Sequence, residues 1–126
     1  MLAVDTNVLV RLLCRDDQQQ AATADLAIAK GAWVSQLVLA ESVWVLDALY
    51  ERTPQQLVAA LELLLAHENL VLQEADVVAA ALAQFRARPA LGFSDCLVLE
   101  TARKAGHLPL ATFDKALGKL AGTLRL

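Results

Sequence analysis

The sequence has few of the residues that build most metal and redox sites in proteins. Among 126 residues there are two cysteines, Cys14 and Cys96, and two histidines, His67 and His107, all far apart in the chain. A zinc site is therefore not expected, because it needs three or four such ligands at short spacings. A disulfide framework is not expected either, and we predict that both cysteines are reduced, buried residues within helices.

Long uncharged apolar runs are also missing, although 57% of the residues are hydrophobic. No run approaches the ~18–20 apolar residues that a membrane-spanning helix needs. Asp5 interrupts the first apolar run too early for a signal peptide, and no basic segment precedes it. We therefore expect a cytoplasmic protein with no membrane contact. The hydrophobic share excludes an intrinsically disordered chain, and the length predicts a single domain over residues 1–126.

The sequence also lacks an excess of basic residues. It contains 11 Lys and Arg residues and 14 Asp and Glu residues, so the net charge is −3. A protein that binds nucleic acid through charge alone should be basic, so the composition argues against that class. An enzyme that holds a metal ion and contacts only a few phosphates is not excluded. Six basic residues could supply such contacts: Arg11, Arg15, Arg86, Arg88, Lys115 and Lys119. For each of them the alternative is a position on a solvated helix face.

Short apolar segments alternate with segments of helical periodicity along the whole chain. The predicted strands are Met1–Val4, Ala32–Val34, Asn69–Gln73, Leu108–Ala111 and Thr123–Leu126. About seven helices separate them, with starts predicted at Ser35 and Thr53 and an end at Gly106. This alternation predicts an α/β fold with three layers, in which helices cover both faces of a short parallel sheet of about five strands. Ligands bind such sheets at the carboxyl ends of the strands.

Two acidic residues stand at those carboxyl ends. Asp5 follows the first predicted strand, and Asp114 follows the fourth, within Thr112-Phe113-Asp114. Each has a structural alternative, because an aspartate at such a position also caps the helix that follows.

Two further acids lie on apolar helix faces. Glu41 shares its face with Leu37 and Trp44, and no lysine or arginine lies within one turn. An unpaired carboxylate on a packed face is unfavourable, so either a distant partner or a metal ion is needed. Asp95 precedes Val98 and Leu99 on one face, and its alternative role is to complement the helix dipole.

Taken together, the four carboxylates favour a divalent cation. If they converge they repel each other, at about 4 kcal/mol for two like charges 4 Å apart with an effective dielectric near 20. A site built from carboxylate oxygens prefers Mg²⁺ or Mn²⁺. The remaining acids are expected on solvated faces, among them Glu100, which is predicted to form a surface pair with Lys104.

At this point the chain resembles a PIN domain, and specifically a VapC-type toxin. The resemblance covers nearly all 126 residues and depends on four segments that occur in the family's order. They are Val4-Asp5-Thr6-Asn7-Val8-Leu9, Leu39-Ala40-Glu41, Phe93-Ser94-Asp95-Cys96-Leu97 and Leu110-Ala111-Thr112-Phe113-Asp114.

The resemblance implies a PIN-like fold and a nuclease site. The family's four acids correspond to Asp5, Glu41, Asp95 and Asp114, as catalytic residues and metal ligands, and its polar companions correspond to Thr6, Asn7 and Thr112. It further implies an endoribonuclease dependent on Mg²⁺ or Mn²⁺ that cleaves structured RNA such as tRNA or rRNA. A homodimer and an inhibitory antitoxin of the VapB type are expected partners. One departure is Leu117, where the family usually has an aromatic residue.

Three other readings stay open. A receiver domain is also a magnesium-binding α/β domain, but it needs a second acid beside Asp5, where this chain has Thr6, and a phosphoacceptor Asp that Leu70–Gln73 lacks. A non-catalytic interaction domain of PIN fold is the second alternative. A DNA-cleaving enzyme is the third, although related flap nucleases carry additional elements. Trp33, Trp44 and Tyr50 could stack on bases, but core or interface packing is the expected role of each.

Overall fold

The structure is a computed structural model that describes all residues from 1 to 126. It consists of two compact units, Met1–Ala75 and Asp76–Leu126. Both units combine helices with parallel strands, so the predicted α/β class is confirmed. None of the helices is both long and apolar enough to cross a membrane.

The first unit contains a three-stranded parallel sheet. Its strands are β1 (Leu2–Ala3), β2 (Ala32–Val34) and β3 (Leu70–Leu72), in the order β1-β2-β3. Leu2 pairs with Ala32, and Trp33 pairs with Val71. Helices connect the strands, as parallel pairing requires. They are α1 (Thr6–Cys14), α2 (Gln18–Ile28), α3 (Gln36–Ala48) and α4 (Pro54–Ala66).

All four helices of this unit begin at a capping side chain. The side chains of Asp5, Asp17, Ser35 and Thr53 each accept a hydrogen bond from the backbone N–H three residues later. Thr53 forms a full capping box with Gln56, and Pro54 occupies the first helical position. The helix starts predicted at Ser35 and Thr53 are therefore confirmed.

The core of the first unit lies where the helices meet each other and the sheet. Helix α1 packs against both α2 and α3, and α4 packs against β3. The side chains that are most completely buried there are those of Leu9, Val34, Leu39, Leu61 and Leu64. Leu9 belongs to the turn directly after Asp5, so burial of this residue fixes the start of α1 relative to the sheet.

The second unit has two α-helices and a two-stranded parallel sheet. Helices α5 (Ala75–Ala87) and α6 (Phe93–Ala105) precede β4 (Leu110–Thr112) and β5 (Thr123–Arg125). Short 3₁₀ turns occupy Pro89–Leu91 and Leu117–Lys119. Gly106 ends α6 in the left-handed conformation, with φ of 82°, as its position in the sequence predicts.

The five predicted strands exist, but they form two separate parallel sheets instead of one. Six α-helices are present where about seven were predicted, because the seventh segment, Asp114–Leu120, contains only the 3₁₀ turn. The strand β2 has the predicted bounds, Ala32–Val34, whereas the other four strands are shorter than predicted, and β4 begins at Leu110 and not at Leu108. Pairing between distant segments decides these features, and a local pattern does not encode it.

The predicted environment of Glu100 is wrong. Glu100 is buried, with 8% of its surface exposed, and the Arg103 guanidinium donates to its carboxylate at 3.2 Å. Arg103 also donates to the backbone carbonyl of Ala121 at 3.0 Å, which ties α6 to the loop before β5. Lys104 instead forms an ion pair with Asp76 at 2.8 Å.

Of the two predicted buried thiols, Cys96 is fully buried and Cys14 is only half-buried, and both are free. Burial raises the pKa of the Cys96 thiol to about 11. This thiol is therefore protonated at neutral pH, which excludes it as a nucleophile.

Candidate active site

Asp5 stands at the carboxyl end of β1 and is the N-cap of α1. Its Oδ1 accepts a hydrogen bond from the Val8 N–H at 3.1 Å, so the structural alternative for this residue is confirmed. The cap uses one carboxylate oxygen and leaves Oδ2 for another ligand. Thr6 and Asn7 are the first two residues of α1, and the side chain of Asn7 is exposed beside the cap.

An open groove begins at Asp5 and runs between α1 and α2. Its volume is about 610 Å³, and Asp5, Asn7, Arg11, Asp17 and Gln19 contribute to its walls. Two carboxylates and one guanidinium therefore give the groove a net negative charge. The guanidinium of Arg11 is already held by Asp16 at 3.4 Å and by the Tyr50 hydroxyl at 3.2 Å.

Glu41 is exposed on α3, and this changes the argument for its role. Its neighbours on the same face, Leu37 and Trp44, are 77% and 62% exposed. The spacing correctly predicts that the three share one face. The expectation that this face is packed within the protein is wrong, so the cost of burying Glu41 does not support a metal ligand. For the same reason Trp44 does not pack in the core, and its interface packing stays a prediction.

In the second unit, Asp114 lies close enough to Asp95 for its charge to act on the Asp95 carboxylate. Asp95 lies in the first turn of α6, where its carboxylate is half-buried and accepts no hydrogen bond. Burial, and then the nearby Asp114 carboxylate, raises the pKa of Asp95 above its usual value. Ionised Asp95 is therefore in an environment that favours a cation.

A tight turn after β4 holds Asp114. The Thr112 hydroxyl accepts a hydrogen bond from the Asp114 N–H at 3.0 Å. The Asp114 Oδ1 in turn accepts one from the Leu117 N–H at 2.7 Å, which starts the 3₁₀ turn. As at Asp5, a single carboxylate oxygen accepts the backbone hydrogen bond. Thr112 orients the backbone that carries Asp114, which is the kind of supporting contact that ligand carboxylates need.

The donor chemistry of the second unit fits a divalent metal ion. The nearby Asp114 carboxylate raises the pKa of Asp95, and the two carboxylates supply the hard oxygen donors that Mg²⁺ and Mn²⁺ prefer. No group of three or more His, Cys, Asp or Glu side chains with metal-site geometry is present in the structure. The convergence of all four acids on one ion stays a prediction.

Sequence patterns missed two features beside these acids. The amide side chains of Gln19 and Gln20 line the groove that begins at Asp5. Phe113, which precedes Asp114, is 81% exposed. The run of glutamines at 18–20 was a signal for the first, and nothing in the sequence distinguishes Phe113 from a core phenylalanine.

A comparison with protein families gives one match across nearly the whole chain. The family model described as PIN domain matches residues 2–123. The comparison with curated proteins gave no match.

Proposed function

The chain belongs to the PIN domain family, whose members are generally nucleases that act on RNA, and we propose that it is a metal-dependent endoribonuclease of the VapC toxin type. The observation that supports this most strongly is the pair of carboxylates in the second unit. Asp95 accepts no hydrogen bond, and burial and Asp114 raise its pKa, so a bound cation would relieve an unfavourable charge.

The proposed ligands are Asp5, Asp95 and Asp114, bound directly or through water, with Glu41 completing the set. A divalent cation bound there would supply an activated water and neutralise the charge that develops on the phosphodiester during hydrolysis. One carboxylate oxygen of Asp5 and one of Asp114 accept a backbone hydrogen bond, so these side chains are oriented before any ligand arrives. Thr112 keeps the turn of Asp114 rigid, and Thr6 and Asn7 are proposed to contact the ligand shell beside Asp5.

The activity is tested by incubating the purified protein, freed of co-purifying partners, with total tRNA and rRNA. We expect discrete fragments with Mn²⁺ or Mg²⁺ and no fragments with EDTA, because structured RNA is the proposed substrate and the carboxylates need the cation. Gel analysis followed by end-mapping of the fragments would identify the cleaved RNA. Fragments that persist in EDTA would contradict metal dependence. If no RNA is cleaved while calorimetry shows a bound divalent cation, the non-catalytic interaction domain becomes the better reading.

We also propose that a basic segment of a VapB-type antitoxin binds the groove beside Asp5. The groove supports this because Asp5 and Asp17 leave it with a net negative charge, and because it is open along its length. An arginine or lysine placed at Asp5 would neutralise a proposed metal ligand. If an inhibitory partner adds no hydrogen-exchange protection to the backbone amides of α1 and α2, this mode of binding is excluded.

A homodimer is proposed from the apolar side chains that α3 exposes. Leu37 and Trp44 lie on one face of the helix, and exposed apolar patches of this kind mark interaction sites. We expect Trp44→Arg to shift the mass measured by light scattering from dimer towards monomer. Leu26→Arg is the control, because Leu26 is also an exposed apolar residue, on α2, but is not part of this face. A wild-type protein that is monomeric at all concentrations would contradict the proposal.

A further inference from the structure

The end of β4 carries an aromatic side chain that the fold does not use. Phe113 has the largest exposed fraction of all large apolar side chains in the chain, 81%. It lies between Thr112 and Asp114, in the turn that the Thr112 hydroxyl and the Asp114 carboxylate hold in place. A phenylalanine that is exposed on a rigid turn is available as a flat contact surface.

Basic side chains follow Phe113 in the sequence, and one of them lies across the sheet from Thr112. Residues 110–126 contain three basic side chains, those of Lys115, Lys119 and Arg125, and a single acidic one, Asp114. Arg125 is the β5 partner of Thr112 in the parallel ladder, so it lies at the same end of the sheet as Phe113. This local charge is opposite in sign to that of the whole chain.

Gly118 leaves room for the Arg125 side chain at this end of the sheet. A Cβ on Gly118 would lie 2.9 Å from the Cβ and 3.2 Å from the Cγ of Arg125, so only glycine leaves room for the arginine stem. The stem therefore packs against the 3₁₀ turn that follows Asp114. Arg125 therefore lies next to the turn that presents Phe113.

From this arrangement we infer that Phe113, Lys115 and Arg125 form a binding platform for an unpaired nucleotide of RNA. The Phe113 ring stacks on the base, and the two basic side chains contact the adjacent phosphates. Aromatic stacking combined with backbone contacts is how proteins hold single-stranded nucleic acid without reading its sequence. This inference rests on the proposed ribonuclease function, since it places the unpaired nucleotide beside Asp114.

The test measures binding separately from cleavage. A fluorescein-labelled single-stranded oligoadenylate of twelve nucleotides is titrated in EDTA, so that no metal-dependent cleavage occurs, and anisotropy reports the affinity. We expect Phe113→Ala and Phe113→Leu to weaken binding by about 5- to 150-fold, the effect of losing one stacked base. Phe113→Trp should retain wild-type affinity, because a larger ring preserves stacking. An RNA duplex of equal length should not distinguish these variants.

The salt dependence tests the basic side chains. Each phosphate contact that is lost should reduce the slope of log affinity against log salt by about 0.7 for a single strand. We expect this reduction in Lys115→Ala and in Arg125→Ala. Leu124→Ala is the matched control, because Leu124 is an exposed apolar residue of β5 in the same unit, and its variant should bind like the wild type.

The outcomes separate this inference from the proposed function. Affinity that is equal in Phe113→Leu, Phe113→Trp and the wild type would overturn the platform, as would the absence of any binding by the wild type. If Phe113→Ala weakens only self-association or binding of a protein partner, the ring belongs to a protein interface and the inference is wrong. If the oligonucleotide binds in a manner that depends on Phe113 but the protein cleaves no RNA, the platform is upheld and the proposed nuclease function is refuted.

Discussion

Asp5→Asn is expected to lower the rate of RNA cleavage by about 10³-fold or more, while the protein keeps its fold. The loss follows from removing one charged ligand of a cation that contributes several kcal/mol to the transition state, with 1.36 kcal/mol for each factor of ten. The fold should survive because asparagine caps helices as well as aspartate does, so the bond from the Val8 N–H is retained. Initial rates at saturating Mn²⁺ and circular dichroism melts measure the two effects.

Asp17→Asn is a closely matched control. Asp17 caps α2 through the Gln20 N–H at 3.0 Å, lines the same groove, and loses the same charge in the variant. It should cleave RNA at a rate close to that of the wild type, because it is not a proposed ligand. Equal rates in Asp5→Asn and wild type would remove Asp5 from the site. If both variants lose the same fraction of the cleavage rate, the negative charge of the groove is responsible for the loss, and metal binding by Asp5 is not.

The capping of the helices could be predicted because the signals are local. Ser35 and Thr53 accept from N–H groups three residues away, and Gly106 needs only its own left-handed backbone. The same locality explains why Asp5 and Asp114 support two interpretations at once. A cap occupies one carboxylate oxygen, and the other oxygen can bind a ligand, so confirming the cap does not decide between structure and function.

The environment of Glu41 could not be predicted, because periodicity assigns a face but not what lies against it. Leu37, Glu41 and Trp44 share a face as their spacing predicts, and that face is exposed. Glu100 shows the reverse error. It has a lysine four residues later, as in a surface pair, yet it is buried with Arg103 as its partner. In both cases the spacing identifies neighbours on the helix but does not indicate which face of the helix is covered.

Phe85→Ala is expected to lower the free energy of unfolding by about 3–5 kcal/mol, the usual loss for deleting a buried aromatic side chain. Phe85 and Phe93 are 1% and 2% exposed, and their rings meet edge to face with centroids 6.2 Å apart. Against a total stability of about 5–15 kcal/mol this is a large change. Urea denaturation measures it, and Val98→Ala, an exposed truncation on α6, should stay within about 0.5 kcal/mol of the wild type.

The contact between the two rings also bears on the site, because Phe93 is the first residue of α6 and Asp95 lies in the same turn. A double-mutant cycle of Phe85→Leu and Phe93→Leu should give a coupling of about 0.5–1.5 kcal/mol, the contribution of the edge-to-face geometry beyond buried area. If this packing positions Asp95, both single variants should also bind Mn²⁺ more weakly in calorimetry under conditions where they remain folded. A coupling near zero with unchanged metal binding would mean that the rings only fill the core and that the first turn of α6 is held by other contacts.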